Sequence, residues 1–340
     1  MQFTDTSTNS PTFWAWDFDN NSTVDSTAQN PSYTYLIPGT YTVKLTVTNA
    51  DGSDDEVKTG LITVTGTKPI VVAQDGSGDY TDIQAAIDAA SSGDTVYIKA
   101  GTYSGFHVDK TDLTILGAGA DTVSAGTVGI GYDNDENSID ASRTRLEGIT
   151  ASGMKVQGAS NSIIANNTIR GGTLALNSGS HYLIRDNTIS GDGDEDDGID
   201  LWGDDSSSDQ IVNNSISGTY WGMYILSGNN TIEKNTFSNN VEAGIVFSNA
   251  GYSLDGNTMY LNTFTGNGVQ PVEFLDEIGE AYSASMHSGG TGRSGGGPED
   301  CRADLRVRQW GVPRNGRGGT LRDGAQPFHL VGKPQRCYSR

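Results

Sequence analysis

The sequence predicts an all-β chain in two parts, a short sandwich-like module and then a solenoid of stacked strands. Three observations predict it. Five segments repeat one pattern: a glycine, an alternating apolar strand, and a polar turn closing on Asn-x-Ile or Asn-x-Phe. They run from Gly153 to Asn167-Thr-Ile169, Gly172 to Asn187-Thr-Ile189, Gly198 to Asn214-Ser-Ile216, Gly222 to Asn235-Thr-Phe237 and Gly244 to Asn262-Thr-Phe264, with leading glycines 19, 26, 24 and 22 residues apart. Ahead of them, residues 1–66 alternate with a period of two between Pro, Gly and Asn turns, without any repeat. Between the two parts lies the single stretch with a helical period.

Composition narrows the partners. The formal net charge is −21 over 340 residues, which argues against nucleic acid and against an anionic membrane surface. The charge is uneven: residues 281–340 carry +6 and residues 1–280 carry −27. No stretch approaches the roughly 20 apolar residues of a membrane helix, so no membrane insertion is expected. No charged-then-apolar leader opens the chain. Both cysteines, Cys301 and Cys337, fall in the last 60 residues, so the repeats owe nothing to disulfides.

In residues 1–66, Phe13-Trp-Ala-Trp-Asp-Phe18 and Tyr41-Thr-Val-Lys-Leu-Thr-Val-Thr48 read as half-buried strands, Asn49-Ala-Asp-Gly52 as a hairpin turn and Leu61-Ile-Thr-Val64 as a last strand. Trp16-Asp-Phe18, Asn30-Pro31, Tyr35, Pro38-Gly39-Thr-Tyr41 and Val43-Lys-Leu-Thr-Val-Thr-Asn49 resemble the polycystic-kidney-disease (PKD) repeat, an Ig-like module of surface and secreted proteins. The turn after Phe18 is Asp19-Asn-Asn21 where that family carries Gly-Asp-Gly, and the family's first strand and loop have no counterpart here. The expectation is a truncated PKD-like β-sandwich, 1–66, at the start of a fragment, acting as a spacer or adhesion unit. Trp14 and Trp16 are read as packing residues.

Residues 67–275 are read as the solenoid. Thr81-Asp-Ile-Gln84 has the form of a capping box, and Ile83, Ala86, Ile87 and Ala90 share one helical face, so a helix is expected to plug the open apolar end of the coil. Val72-Ala-Gln-Asp-Gly-Ser-Gly-Asp-Tyr80, Ile83-Gln-Ala-Ala-Ile87 and Gly93-Asp-Thr-Val-Tyr-Ile98-Lys-Ala-Gly-Thr-Tyr103 resemble the opening of pectinesterases and other pectin-lyase-like proteins. That resemblance implies a right-handed parallel β-helix. It does not carry esterase chemistry, because the family's catalytic Asp pair and Arg have no counterpart in residues 104–275. The later repeats, about 150–265, resemble the copper-site maturation protein of nitrous-oxide reductase and the surface β-helix proteins of methane-producing archaea. Copper wants clustered Met, His or Cys, whereas His107 and His181 stand alone and the other two histidines lie in the tail.

Residues two apart in a strand share a face, so Met154/Val156, Leu174/Leu176, Ile199/Leu201, Met223/Ile225 and Ile245/Phe247 are expected to stack inward. Asn167, Asn187, Asn214, Asn235 and Asn262 would stack as an amide ladder. The outward column then holds Lys155, Asp200 and Tyr224, with Trp202 beside it and Tyr220-Trp221 in the turn before. Aromatic faces beside carboxylates suit sugar: CH-rich ring faces stack on indole or phenol, and hydroxyls donate to carboxylates. The alternative is that these rings merely cover sheet surface. Asp192, Asp194, Glu195 and Asp196 offer the hard oxygen ligands of a calcium site, without the spaced Asp-x-Asp-x-Asp-Gly loop. Asp197-Gly-Ile-Asp200 with Asp204-Asp205 resembles the Asp-Gly-Ile-Asp and Asp-Asp motifs of polygalacturonases, which would make these four carboxylates the catalytic candidates. In that family the second pair lies about a coil further on, and Gly-His-Gly and Arg-Ile-Lys motifs follow; all three are missing here. A lyase would need a basic residue, for which Lys155, Arg170 or Arg185 is available.

After Phe274-Leu275 the pattern stops, and residues 276–340 are rich in Gly, Arg and Pro without periodicity. A low-order tail is expected, from a shifted reading frame or as a basic anchor for acidic polymer. Taken together, the sequence predicts an extracellular or cell-surface protein whose β-helix face binds polysaccharide. A polysaccharide-modifying enzyme and a structural envelope component are the alternatives.

Overall fold

The period-two segments of the first unit form strands, the last of them longer than the expected Leu61–Val64 because it continues straight out of the hairpin turn. Phe13–Asp17 runs antiparallel to Gly39–Asn49, which pairs on its other edge with Gly52–Val64. The computed structural model describes residues 1–35, 37–132, 138–193, 196–203, 207–248, 253–268, 270–275, 281–283, 301–308 and 329–330. It divides into two units, Met1–Pro69 and Ile70–Arg340.

In the first unit Phe3, Trp16, Phe18 and Val43 form the core, flanked by Trp14, Tyr33, Tyr35, Leu45 and Ile62. Both indoles are tied internally: Trp14 Nε1 donates to Asp5 at 2.7 Å and Trp16 Nε1 to the Ala28 carbonyl at 3.0 Å. The segment Asn30–Tyr35 forms no strand. Ser32 makes one bridge to Gln2, and the ring of Tyr33 stacks on Phe18 at 4.3 Å.

The second unit is a parallel β-helix. Its opening helix, Ile83–Ala89, buries Ile83, Ala86 and Ile87. The cap is Asp82, whose carboxylate accepts from Ala85 N at 3.0 Å, rather than Thr81 as the capping-box reading expects. Gln84 is drawn elsewhere: its amide both donates to and accepts from the backbone of His107, on a neighbouring strand.

One flank is a nine-stranded sheet, eight parallel rungs from Phe106–Val108 to Gln270–Leu275 and one antiparallel end strand, Ala281–Ser283. Register aligns Phe106, Val128, Met154, Leu174, Ile199, Met223, Ile245 and Val272 in one inward column, all buried. The other flank takes two three-residue strands from each middle coil, such as Ile163–Ala165 and Thr168–Arg170, with Ile164 and Ile169 inward.

The corners between these strands follow one rule. A residue in the left-handed region turns the chain, and the next residue aims a polar side chain into the corner. Asn166, Asp186, Asn213, Lys234 and Leu261 have φ between 55° and 58° and directly precede the buried Asn167, Asn187, Asn214, Asn235 and Asn262. Each Oδ1 of Asn187, Asn214, Asn235 and Asn262 accepts the backbone N–H and the Nδ2 of the asparagine one coil before, at 2.9–3.3 Å. Two further corners repeat the device beyond what the sequence predicts. His181, Ser208 and Asn229 precede Tyr182, Asp209 and Asn230, and Asn239 precedes Asn240.

Asp209 is the odd member. Its Oδ1 accepts from Tyr182 N at 2.9 Å, but Oδ2 is buried without a partner where an asparagine would place a donor. Burial pushes its carboxyl up to about 7, opposed by the N–H groups of Tyr182 and His181.

Beyond residue 275, where the sequence predicts little order, three short strands are described. Ala281–Ser283 pairs with Gln270–Leu275, and Cys301–Arg308 runs antiparallel to Thr258–Thr265, closing the far end. His329–Leu330 pairs with Cys301–Arg308. Cys337 lies outside the described residues.

The folded chain binds the Asp209 proton more tightly than the unfolded chain, whose aspartates titrate near 3.9, so stability falls as pH rises from about 4 through 7. Asp209→Asn supplies the missing donor and removes this loss. Chemical denaturation should show the variant more stable by on the order of 4 kcal/mol at pH 8 and indistinguishable near pH 4.

Candidate functional site

The outward column of the nine-stranded sheet runs His107, Gly129, Lys155, Ala175, Asp200, Tyr224, Val246 and Glu273. Its centre is where chemistry gathers. Asp200 lies in Ile199–Trp202 directly beside Tyr224 in Trp221–Ile225, and Trp202 is 48% exposed on the strand of Asp200. The Trp202 and Tyr224 rings lie 6.0 Å apart; Tyr224 stacks on Trp221 at 4.9 Å and 16°, and Trp221 meets Tyr220 at 5.2 Å. Four rings thus make one continuous platform over two coils.

Two glycines build it. Strict alternation puts residues three apart on opposite faces. Asp197 and Asp200 flank Gly198, at the bend where the coil enters Ile199–Trp202, and Trp221 and Tyr224 flank Gly222 within Trp221–Ile225; at each glycine the two flanking side chains come out on one face. Both glycines are tightly packed: a Cβ on Gly222 would lie 2.7 Å from both Phe237 Cδ1 and Asn240 Nδ2, and a Cβ on Gly198, in the corner before Ile199, would strike the Gly222 carbonyl and Ile216. The Gly198 N–H donates to the Trp221 carbonyl at 2.8 Å, and Tyr220 N to the Asp196 carbonyl at 2.9 Å, locking the two coils in register.

The carboxyls of Asp197 and Asp200 face each other in this corner. Burial raises both. The charge of Asp197 raises Asp200 further, and a hydrogen bond from Trp202 opposes it. Asp197 is held down by the Trp221 N–H, 3.2 Å from its Oδ1, and by the hydrogen bond it receives from Asp200. Two like charges this close do not both ionise readily, so the pair keeps one proton, on Asp200, well above the usual carboxylate range. Asp200 Oδ1 and Trp221 Nε1 are shut off from solvent without a partner.

The other sequence candidates scatter. Lys155 shares the column but stands two rungs from Asp200, with Ala175 between. Arg170 and Arg185 lie on the opposite sheet, and Arg185 is spent on Glu147 at 3.4 Å and Asp186 at 2.6 Å. Asp192 and Asp196 are exposed on the loop before Asp197, while Asp194, Glu195, Asp204 and Asp205 lie outside the described residues.

Among the described residues one three-carboxylate cluster is assembled, and it is in the other unit. Asp17, Asp19 and Asp25 bring carboxylate oxygens within 4.8 Å of one another. Asp17 is occupied by the N–H groups of Asn21 and Ser22, and Asp25 by that of Phe18, which makes this a turn-stabilising arrangement. The sequence signal was the replacement of Gly-Asp-Gly by Asp19-Asn-Asn21, but the closure onto Asp25 depends on the fold of the intervening loop.

The fold and site define a parallel β-helix protein with a PKD unit ahead of it and an acid-floored aromatic platform on its flank. Residues 1–64 match the PKD domain, and residues 87–286 match the family described as periplasmic copper-binding protein (NosD). The chain belongs to that NosD family. A stretch of 107 residues is 39% identical to pectinesterase 2 of Citrus sinensis, covering 25% of this chain and 21% of that relative's length. Among solved structures, the catalytic domain of a GH87 alpha-1,3-glucanase in complex with nigerose is similar at a TM-score of 0.42 and 13% identity, over 74% of this chain and 53% of that one. A family 28 exopolygalacturonase from Yersinia enterocolitica is similar at 0.29 and 12%, over 83% of each.

Copper does not fit the described residues. His107 is a single imidazole with its buried Nδ1 unpartnered, His181 is hydrogen-bonded to Ser180, and Met154, Met223 and Met259 point into the core. The Asp17 cluster offers oxygen alone, a donor set for hard cations. No helix of the described residues is long and apolar enough to cross a membrane.

Two expectations follow. Gly222→Ala should force its strand off its neighbours, lowering the denaturation midpoint and the near-ultraviolet dichroism of the ring stack together. In a pH titration, tryptophan fluorescence should report the shared proton as a transition above the usual carboxylate range, and Asp200→Asn should abolish it.

Proposed function

We propose that this chain binds polysaccharide on the outer flank of its solenoid, through Trp202, Tyr224, Trp221 and Tyr220. The observation that carries the reading is the half-exposed Trp202 indole continuous with the stacked Tyr224 and Trp221 rings. Rigid amphipathic faces of this size take the CH-rich faces of sugar rings, and hydroxyls at the ring edge reach the exposed Asp192 and Asp196. A relative named pectinesterase, matched over part of its length, supports polysaccharide as the partner class. The reading includes a location outside the cytoplasm, secreted or at the cell surface, with the PKD unit as spacer or adhesion module. The periplasmic description of the NosD family supports it.

A second reading, a hydrolase, lyase or epimerase, is favoured by the Asp197–Asp200 pair, since a protonated carboxyl beside an ionised one can serve as acid and base. A glycan array followed by calorimetry and product analysis separates the two. Binding without new reducing or unsaturated ends, weakened about tenfold or more by Trp202→Ala, is the expected result. Turnover that disappears in Asp200→Asn would replace binding with catalysis, and the absence of binding to any glycan would leave a structural envelope component.

A further inference from the structure

We infer that the platform is selective by charge: it takes neutral hexose polymers and rejects polymers that carry carboxylates. This rests on the polysaccharide-binding reading above and names the class of glycan it would admit. Acidic side chains surround the rings. On one side lie the carboxyls of Asp197 and Asp200 in the corner, with Asp192 and Asp196 exposed on the loop leading to them. On the other side the next coils bring Glu242 and Glu273, close enough that the charge of Glu242 raises Glu273 beyond what burial does. Glu242 is fixed there by its N–H, which donates to the Tyr220 carbonyl at 3.0 Å.

The rings are therefore bracketed by acid along the direction in which a polymer crossing the coils would lie. Among the described residues of the outward column, Lys155 is the nearest cation, two rungs from Asp200 and about 10 Å away at the strand spacing of a sheet. A carboxylate-bearing sugar stacked on Trp202 would face Asp197 and the exposed Asp192 and Asp196, with no cation among the described residues of that column within hydrogen-bond reach. Sites that bind anionic polymers place Arg or Lys against each acidic group. Here the geometry places acceptors instead. A neutral sugar meets the exposed Asp192 and Asp196 with hydroxyl donors at its ring edge while its apolar face covers the indole.

The test isolates charge from shape. The full chain is titrated with a panel of neutral glucans, mannans and galactans, and then with the same polymers after oxidation of their primary hydroxyls to carboxylates. Binding of a neutral polymer that falls at least tenfold on its oxidation at low salt, with the gap narrowing in 1 M NaCl, is expected. The double variant Asp192→Asn, Asp196→Asn, changed at two exposed positions, should narrow the same gap at low salt. Oxidised polymer that binds as tightly as its parent, with or without added calcium, overturns the charge selection and leaves the polysaccharide reading standing. If neither form of any polymer binds, both fall.

Discussion

The fold depends on satisfying backbone groups at corners that have no water. A parallel solenoid must turn three times per coil, and each turn leaves N–H groups pointing into the corner, where an orphaned donor costs about 1–3 kcal/mol. This chain pairs a residue at positive φ with a buried polar side chain that accepts from the coil before it. Because each amide serves two coils, the ladder fixes register as well as hydrogen bonding. Leu261 shows the strength of the constraint: a leucine adopts φ 57°, a region such side chains rarely enter, directly before Asn262.

The proposed platform arises where the repeat is broken on the outside while it is kept on the inside. The inward column stays apolar from Phe106 to Val272. Outward positions such as Gly129, Ala175 and Val246 are small or aliphatic, and among the described residues of the column two adjacent coils concentrate the aromatic side chains. A rigid cylinder lets these residues be placed by register, without a loop to hold them.

Much of this was legible in the sequence because it is periodic. The inward pairs and the Asn167–Asn262 ladder follow from alternation and from the glycine spacing. The helix was legible by its apolar face, but its cap was displaced by one residue, since Asp82 is itself a good cap and Gln84 found a tertiary partner in His107. One further corner column was hidden because its members differ in type: Tyr182, Asp209 and Asn230 share a position, and only the last two an acceptor Oδ1. The pairing of Asp197 with Asp200 was hidden for a sharper reason. Three residues apart in a strand means opposite faces, and only the corner at Gly198 reverses that.

The same corner bears on how the carboxyl pair is used. A general acid must present its proton to the oxygen of a bound glycosidic link, and a general base must reach the atom it deprotonates. Asp197 is committed through Oδ1 to the Trp221 N–H, Asp200 is engaged with Trp202 and Asp197, and Asp200 Oδ1 is closed to solvent. Each carboxyl thus spends its hydrogen bonds on the backbone or indole that sets a ring in place. Arranged this way, the pair acts as the floor that orients Trp202 and Trp221, and its shared proton spares the floor a second buried charge. Groups committed to holding rings are poorly placed to leave them for a substrate, which is the physical ground for favouring a binding platform over a catalytic cleft.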